Sequence, residues 1–259
     1  TVSAVTPEQP ENPNLKWESS YQTNFGIDLG LINNRVSVSL DYYNIDTKDL
    51  ILTDNSITEY LGFSGDDILA NVGEINNRGL EIALSTKNIL KEDFRWTTDF
   101  NIAFNKNEVV SLVNDADLFF DATPSYFSHD RSYVLRVGEE VGLFWGYEYA
   151  GVYQGGTAPA GTQTLSGGVA GDPLFADIDG SGDITEADRT TIGNPNPDFT
   201  WGFTNNFSYK NLDLSIFLQG SQGGDIFNLT NVQLTNGDAN TTRAYYNSAW
   251  TPTNTDTNA

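Results

Sequence analysis

The chain has 259 residues, with 35 acidic and 13 basic side chains, a formal net charge of −22, one His, no Cys and no Met. Without cysteine there is no disulfide framework, thiolate zinc site or cysteine nucleophile. Without a basic footprint nucleic acid is excluded as a partner. No run of 18 apolar residues occurs, so no transmembrane helix is expected. Strands that alternate across a membrane never build such a hydropathy peak, so the membrane itself stays open.

From the N-terminus, "TVSAVTPEQP" has the character of a linker and lacks the charged-then-apolar pattern of a secretory leader. Period-2 alternation then begins. Tyr21, Thr23, Phe25, Ile27 and Leu29 share one face of a strand, and Gln22, Asn24, Gly26 and Asp28 the other. After the turn "LINNR" at 31–35, Val36, Val38, Leu40 and Tyr42 alternate with Ser37, Ser39 and Asp41. A polar stretch fills 47–75. Leu80, Ile82 and Leu84 then oppose Glu81, Ala83 and Ser85, and "ILKEDF" (89–94) turns the chain. Trp96, Thr98, Phe100, Ile102 and Phe104 oppose Thr97, Asp99, Asn101 and Ala103. A second polar stretch covers 107–131. Two weaker strands follow around 132–138 and 143–153, joined by "EEVG", and a third polar stretch covers 153–198. Phe199, Trp201, Phe203, Phe207 and Tyr209 alternate with Thr200, Gly202, Thr204, Asn206 and Ser208. After "KN" (210–211), Leu212, Leu214, Ile216 and Leu218 oppose Asp213 and Ser215. The end, "TPTNTDTNA", again has the character of a loop, and with no Met anywhere the chain is expected to be an internal fragment of a longer protein.

Asp28, Asp41, Glu81, Asp99 and Asp213 all fall on the second face. A charge facing lipid at mid-bilayer costs about 2–4 kcal/mol for Arg or Lys and less for acids, so a lipid-facing wall around a wet lumen requires this distribution. Alternation alone also suits a soluble β-sandwich with one buried face. Three further features favour the membrane. The runs are roughly 9–11 residues, enough for a tilted strand to cross a bilayer. Aromatics gather at strand ends (Tyr21, Tyr42, Trp96, Phe104, Trp201, Tyr209), as interfacial girdles require. Short turns alternate with long polar loops. The expected fold is all-β: an antiparallel, up-and-down transmembrane β-barrel segment of about eight strands, with every long loop on one side.

The most specific spacing is "DIDGSGDITEAD" at 177–188. In an EF-hand-type loop Asp177, Asp179 and Ser181 occupy positions 1, 3 and 5, Gly182 the turn at 6, Asp183 position 7 through its carbonyl, and Asp188 position 12. Hard oxygens at alternate positions converge on one Ca²⁺ (or Mg²⁺ as a substitute) when the chain turns sharply at Gly182. Aspartate at position 12 reaches less far than the usual glutamate, which puts bidentate ligation in doubt. Ile184 offers an apolar anchor, and Thr185 with Asp188 a cap for one helical turn. The metal's expected role is structural, stiffening an outer loop; the other reading is a metal-free acidic turn.

No catalytic residue is expected. His129 is the only histidine and has no partner spacing for a triad or a zinc site. Scattered carboxylates could serve glycoside hydrolysis only if two faced each other across a cleft. The protein is therefore not expected to be an enzyme. Two rival readings remain: a secreted calcium-binding β-sandwich adhesin or carbohydrate-binding module, and a β-rich carbohydrate-active enzyme.

Several stretches resemble the C-terminal barrel of SusC/RagA-like TonB-dependent transporters of Bacteroidota: "NPNLKWESSYQTNFGIDLGLINNRVSVSLDYYNIDTKDLI", "NVGEINNRGLEIAL", and "FADIDGSGDITEADRTTIGNPNPDFTWGFTNNFSYKNLDLSIFLQGSQGGDIFN". "GNPNPDFTWGF" and "LQGSQGGDIFN" are the specific parts. The resemblance covers well over half of the chain. It implies an outer-membrane barrel of about 22 strands closed by an N-terminal plug, a SusD-like surface lipoprotein that captures oligosaccharide or peptide, and energy from the TonB–ExbB–ExbD complex through an N-terminal region. Plug and N-terminal region are absent from these residues. A segment of the barrel with two unpaired edges is not expected to transport by itself.

Overall fold

The computed structural model describes residues 12–54, 68–121, 131–165, 167–235, 240–255 and 257. In chain order the strands are β1 (Ser19–Leu31), β2 (Val36–Asp54), β3 (Ile68–Leu90), β4 (Phe94–Leu112), β5 (Leu118–Phe120), β6 (Tyr133–Leu135), β7 (Leu143–Tyr147), β8 (Tyr149–Val152), β9 (Thr162–Thr164), β10 (Pro173–Ala176), β11 (Arg189–Gly193), β12 (Phe199–Tyr209) and β13 (Leu212–Gln222). Two short helices follow, α1 (Leu229–Thr235) and α2 (Arg243–Ser248). The described residues of 1–118, 135–141 and 196–224 form one compact unit, and those of 119–134, 142–195 and 225–259 another.

The first unit is one antiparallel sheet in the order β1-β2-β3-β4-β12-β13. Register carries the alternation from strand to strand without a slip of face. Leu29, Val38, Leu84, Phe100, Phe203 and Leu218 form one continuous row, and Ile27, Leu40, Ile82, Ile102 and Trp201 the next. The opposite face carries rows such as Asp28, Ser39, Ala83, Asn101, Gly202 and Gln219. The apolar face is open: Phe25 is 65% exposed and Leu218 52%. A sandwich would have buried these side chains in the chain's own core. The buried apolar side chains of this unit, among the described residues, are instead Val72, Val109, Leu112 and Leu135.

The apolar run climbs across the sheet. On β13 it spans Leu212–Leu218. On β1 it spans Tyr21–Leu31, ending at the top in the row that holds Asp46, Asn76 and Glu108 on the neighbouring strands. The climb is about one residue per strand. At about 3.3 Å per residue and 4.8 Å between strands, it corresponds to a tilt of roughly 35–40°, the tilt of a barrel wall.

The sheet has six strands where eight were expected. The stretches 132–138 and 143–153 do not enter it. They give β6, β7 and β8, of which β6 and β7 join a small sheet in the order β11-β7-β6-β5, and β8 joins another in the order β8-β10-β9. Their alternation is real but only a few residues long, too short to cross a bilayer. β4 pairs directly with β12, so the up-and-down parity survives without them. The large strands are also longer than the alternation suggested, 19, 23 and 19 residues for β2, β3 and β4. The ladder between β2 and β3 runs on into 47–75, where Lys48 and Glu74 form an ion pair at 3.6 Å. Hydrogen-bonded pairing continues there after the apolar period has stopped.

The three short turns lie at one end of the sheet. Ile32, Asn33 and Asn34 take positive φ (52, 53 and 59°), closed by Arg35 N–H donating to the Ile32 carbonyl at 3.1 Å. Lys91 N–H donates to the Phe94 carbonyl at 2.8 Å, and Lys210 leads a two-residue turn at φ 52°. At the other end Asn196, from the "GNPNPDF" motif, anchors the returning chain. Asn107 Nδ2 donates to Asn196 Oδ1 (2.8 Å), Val141 N–H donates to Asn107 Oδ1 (2.6 Å), and Asn196 Nδ2 donates to the Val141 carbonyl (3.0 Å). This closed ring satisfies the amide of Asn107, which is only 7% exposed.

The second unit has a conventional small core. Tyr133, Phe144 and Phe227 meet with ring centroids 5.6–6.2 Å apart, and Val134 and Leu143 are buried. Asn194 and Asp225 bond reciprocally through backbone and carboxylate.

Candidate functional site

The acidic loop leaves β10 and ends in a 3-10 turn, Glu186–Asp188, which leads into β11. As the spacing suggested, Thr185 and Asp188 form a capping box: the Thr185 hydroxyl accepts from Ala187 N–H, and Asp188 Oδ2 accepts from Thr185 N–H at 2.7 Å. Gly180 and Gly182, at φ 72° and 89°, make the sharp turns that a side chain would strain. Asp177 Oδ2 accepts from Gly182 N–H (2.9 Å) and Asp179 Oδ1 from Ser181 N–H (2.9 Å), so both carboxylates are folded inward by the loop's own backbone.

Carboxylate oxygens of Asp177, Asp179 and Asp188 lie within 4.8 Å of one another. Ser181 and Asp183 lie beside this group, with the Ser181 hydroxyl donating to the Asp183 carbonyl at 3.0 Å, while the Asp183 carboxylate is not among the three. Asp188 is fully buried, and both its oxygens are engaged. Oδ1 accepts from Ile178 and Asp179 N–H, and Oδ2 from the Thr185 N–H and hydroxyl. The Thr185 backbone bond, above all, holds this carboxyl below the ordinary range, against burial that raises it; the Asp179 and Ile178 bonds add to the lowering. Asp177 Oδ1 is buried and has no hydrogen-bond partner among the described residues. An orphaned oxygen among three inward carboxylates fits a hard divalent cation. Asp188, with four hydrogen bonds already made, fits a single-oxygen ligand better than a bidentate one.

The inner wall of the sheet is the second candidate. Gln22, Asn24, Asp41, Tyr43, Asn77 and Asn105 line a concavity of about 570 Å³. The Tyr43 ring lies across Gly79, where an added Cβ would stand 2.5 Å from it, and its hydroxyl donates to Asn105 Oδ1 at 2.9 Å. Asp41 stands directly opposite Glu81, two like charges in register. Ser39 donates to Asp28 (2.6 Å) and to Asp41 (3.1 Å), and Ser85 to Asp99 (2.6 Å). Phe217 belongs to this face too, in the row of Thr204 and Asp99, and is 59% exposed. The alternation of β13 contains this signal, since 217 shares the parity of Asp213 and Ser215. His129 lies outside the described residues.

The chain matches the family model for "TonB dependent receptor-like, beta-barrel" over residues 2–167. It is 48% identical over 257 residues to TonB-dependent receptor P3 of Formosa agariphila, covering 99% of this chain and 25% of that protein. It is 29% identical over 221 residues to TonB-dependent receptor SusC of Bacteroides thetaiotaomicron, covering 83% of this chain and 20% of that protein. The structure of the RagAB peptide transporter has the same fold, with a TM-score of 0.72 at 23% identity over 95% of this chain and 26% of that one. The chain thus spans about a quarter of the length of these relatives. The match reaches more than half of the residues, and the chain belongs to the TonB-dependent receptor-like β-barrel family.

Proposed function

We propose that this chain is wall and outer loop of an outer-membrane importer that takes up oligosaccharide or peptide, handed over by a SusD-like surface lipoprotein and driven by the TonB–ExbB–ExbD complex. The observation that carries the reading is the unbroken register of apolar rows on one face and polar rows on the other across six strands. Lipid supplies the burial that the sheet does not find within itself. The inner face offers amides, hydroxyls and exposed rings, groups that bind sugars and peptide backbones equally well. The name of the RagAB peptide transporter supports the peptide class.

The test uses the full-length protein in cells. Uptake of a labelled oligosaccharide or peptide mixture should require the protein and should stop when TonB is deleted. Uptake that persists without TonB, or a full-length protein that fractionates away from the outer membrane, overturns the reading.

Within the outer loop, Asp177, Asp179 and Asp188 hold Ca²⁺ in this proposal, with Ser181 and the Asp183 carbonyl beside them. The buried orphan oxygen of Asp177 supports it. The ion has no part in transport chemistry and stiffens the loop. Calcium titration by calorimetry on the full-length protein tests this, and no heat of binding above that of a D177A/D179A variant overturns it.

A further inference from the structure

A polar cluster of Thr86, Asn88, Thr98 and Asn205 interrupts the apolar face. Asn205 lies between Phe203 and Phe207 on β12, paired with Thr98 on one side and Ile216 on the other. Its Oδ1 accepts from Trp96 Nε1 (2.8 Å) and from Thr98 Oγ1 (2.7 Å). Thr98 Oγ1 accepts from Asn88 Nδ2 (2.7 Å), and Asn88 Oδ1 accepts from Thr86 Oγ1 (2.9 Å). The chain of bonds is directional across three strands. Each donor hands on to the next acceptor, and the amide N–H groups of Asn205 are left as its open end, with no partner among the described residues. Asn205 is half-buried, and part of its surface stays open to whatever covers the wall. In hydrocarbon an unmet donor is costly, and the face calls for an acceptor at that depth.

Nearer the turn, Lys210 Nζ is 5.5 Å from the centroid of the Tyr209 ring, which is on the apolar face, and makes no ion pair among the described residues. Trp96 stacks on Phe207 (centroids 5.6 Å apart, 20° between planes), and Phe94 meets Tyr209 edge-on at 6.5 Å. Leu212 and Leu214 beside them are exposed. From the turn inward, the order is cation, aromatic wall, free amide donors and aliphatic surface. A phospholipid presents its groups in the matching order: phosphate, ester carbonyls, acyl chains.

We propose that the wall formed by β4, β12 and β13 beside the 210–211 turn binds a phospholipid of the leaflet on the turn side. Lys210 pairs with the phosphate, and Asn205 donates its amide N–H to an ester carbonyl. The acyl chains run on past Asn205, away from the turn, along Ile216, Phe203, Leu218 and Phe100. The proposal rests on the reading that the apolar face meets lipid.

The experiment is native mass spectrometry of the full-length protein extracted from the outer membrane. Phosphatidylethanolamine is added in one arm and phosphate-free diacylglycerol in the other. Barrel assembly of each variant is checked by heat-modifiable migration in electrophoresis. K210Q should lower phosphatidylethanolamine retention about 5-fold and leave diacylglycerol unchanged, as expected for one cation near a phosphate plane. N205L should lower both by about 3- to 10-fold, the range of one hydrogen bond. N205D keeps an acceptor for Trp96 and Thr98 while removing the amide donors, and should behave as N205L does. K106Q, which removes a cation from the far edge of the apolar face, should change neither. If assembled Asn205 variants retain both lipids as well as the wild type, or K210Q acts no more strongly than K106Q, the site is wrong while the membrane reading stands. If the wild type retains no lipid and does not migrate as a barrel, both fail.

Discussion

The two units of this chain are built on opposite rules. In the six-stranded sheet the large apolar side chains point away from the protein, and the polar ones bond to one another across strands, as Ser39, Ser85 and Ser208 do with Asp28, Asp99 and Asp213. In the second unit short strands fold around Tyr133, Phe144 and Phe227, with arginines pairing to acids, Arg131 and Arg189 with Glu186. The first unit is an element that its solvent completes, and the second completes itself. Sequence periodicity is strong where the environment is the same for every strand and weak where each contact is particular.

The comparison breaks most sharply at Phe100 and Asn101. F100R puts a cation on the lipid side near mid-wall, at a cost of about 2–4 kcal/mol, and N101R puts the same cation on the inner side. In the full-length protein, F100R should reduce the heat-modifiable barrel fraction more than 10-fold, and N101R little. Equal losses would remove the assignment of faces.

G79A tests the inner wall itself. Its Cβ would stand 2.5 Å from the Tyr43 ring and 2.6 Å from the Phe104 carbonyl. Such overpacking costs about 1–3 kcal/mol, read as a lower urea midpoint in vesicle-reconstituted protein. An unchanged midpoint would mean that the ring is not packed there.

In the second unit, D177A/D179A should abolish calcium-dependent protection of the 177–188 loop from protease, leaving the sheet's unfolding unchanged. Calcium-independent cleavage in the wild type would argue for a plain acidic turn. The smallest effect concerns Arg136 and Asp117, a forked pair at 2.6–3.1 Å on a partly exposed surface. R136K loses the fork and should cost about 0.5–1 kcal/mol in the same urea experiment. A loss of several kcal/mol would mean that the pair is a buried anchor.

Much of this was legible from the residues. The shared face of Asp28, Asp41, Glu81, Asp99 and Asp213, the three short turns, and the inward convergence of Asp177, Asp179 and Asp188 all follow from local spacing. What was not legible depends on partners distant in the chain. The ladder beyond Thr47 lacks a clean period because its register shifts between Thr47 and Leu50 and again between Leu50 and Ile51. The stretches 132–138 and 143–153 alternate, but their pairing with β11 and β5 is fixed by contacts that spacing does not encode. The four bonds that bury Asp188 join residues on both sides of the loop. They turn an expected ligand into a loop anchor as well.

The climbing apolar run has a consequence for how such a wall changes size in evolution. Each added strand advances the greasy ring by about one residue, while the paired rows keep the same face. Two strands joined by a tight turn bring the chain back to the end where it began. Duplication or loss of a hairpin therefore keeps tight turns at one end and long loops at the other, whereas gain or loss of a lone strand reverses the direction of everything that follows. The heritable unit of diameter in this fold is the hairpin.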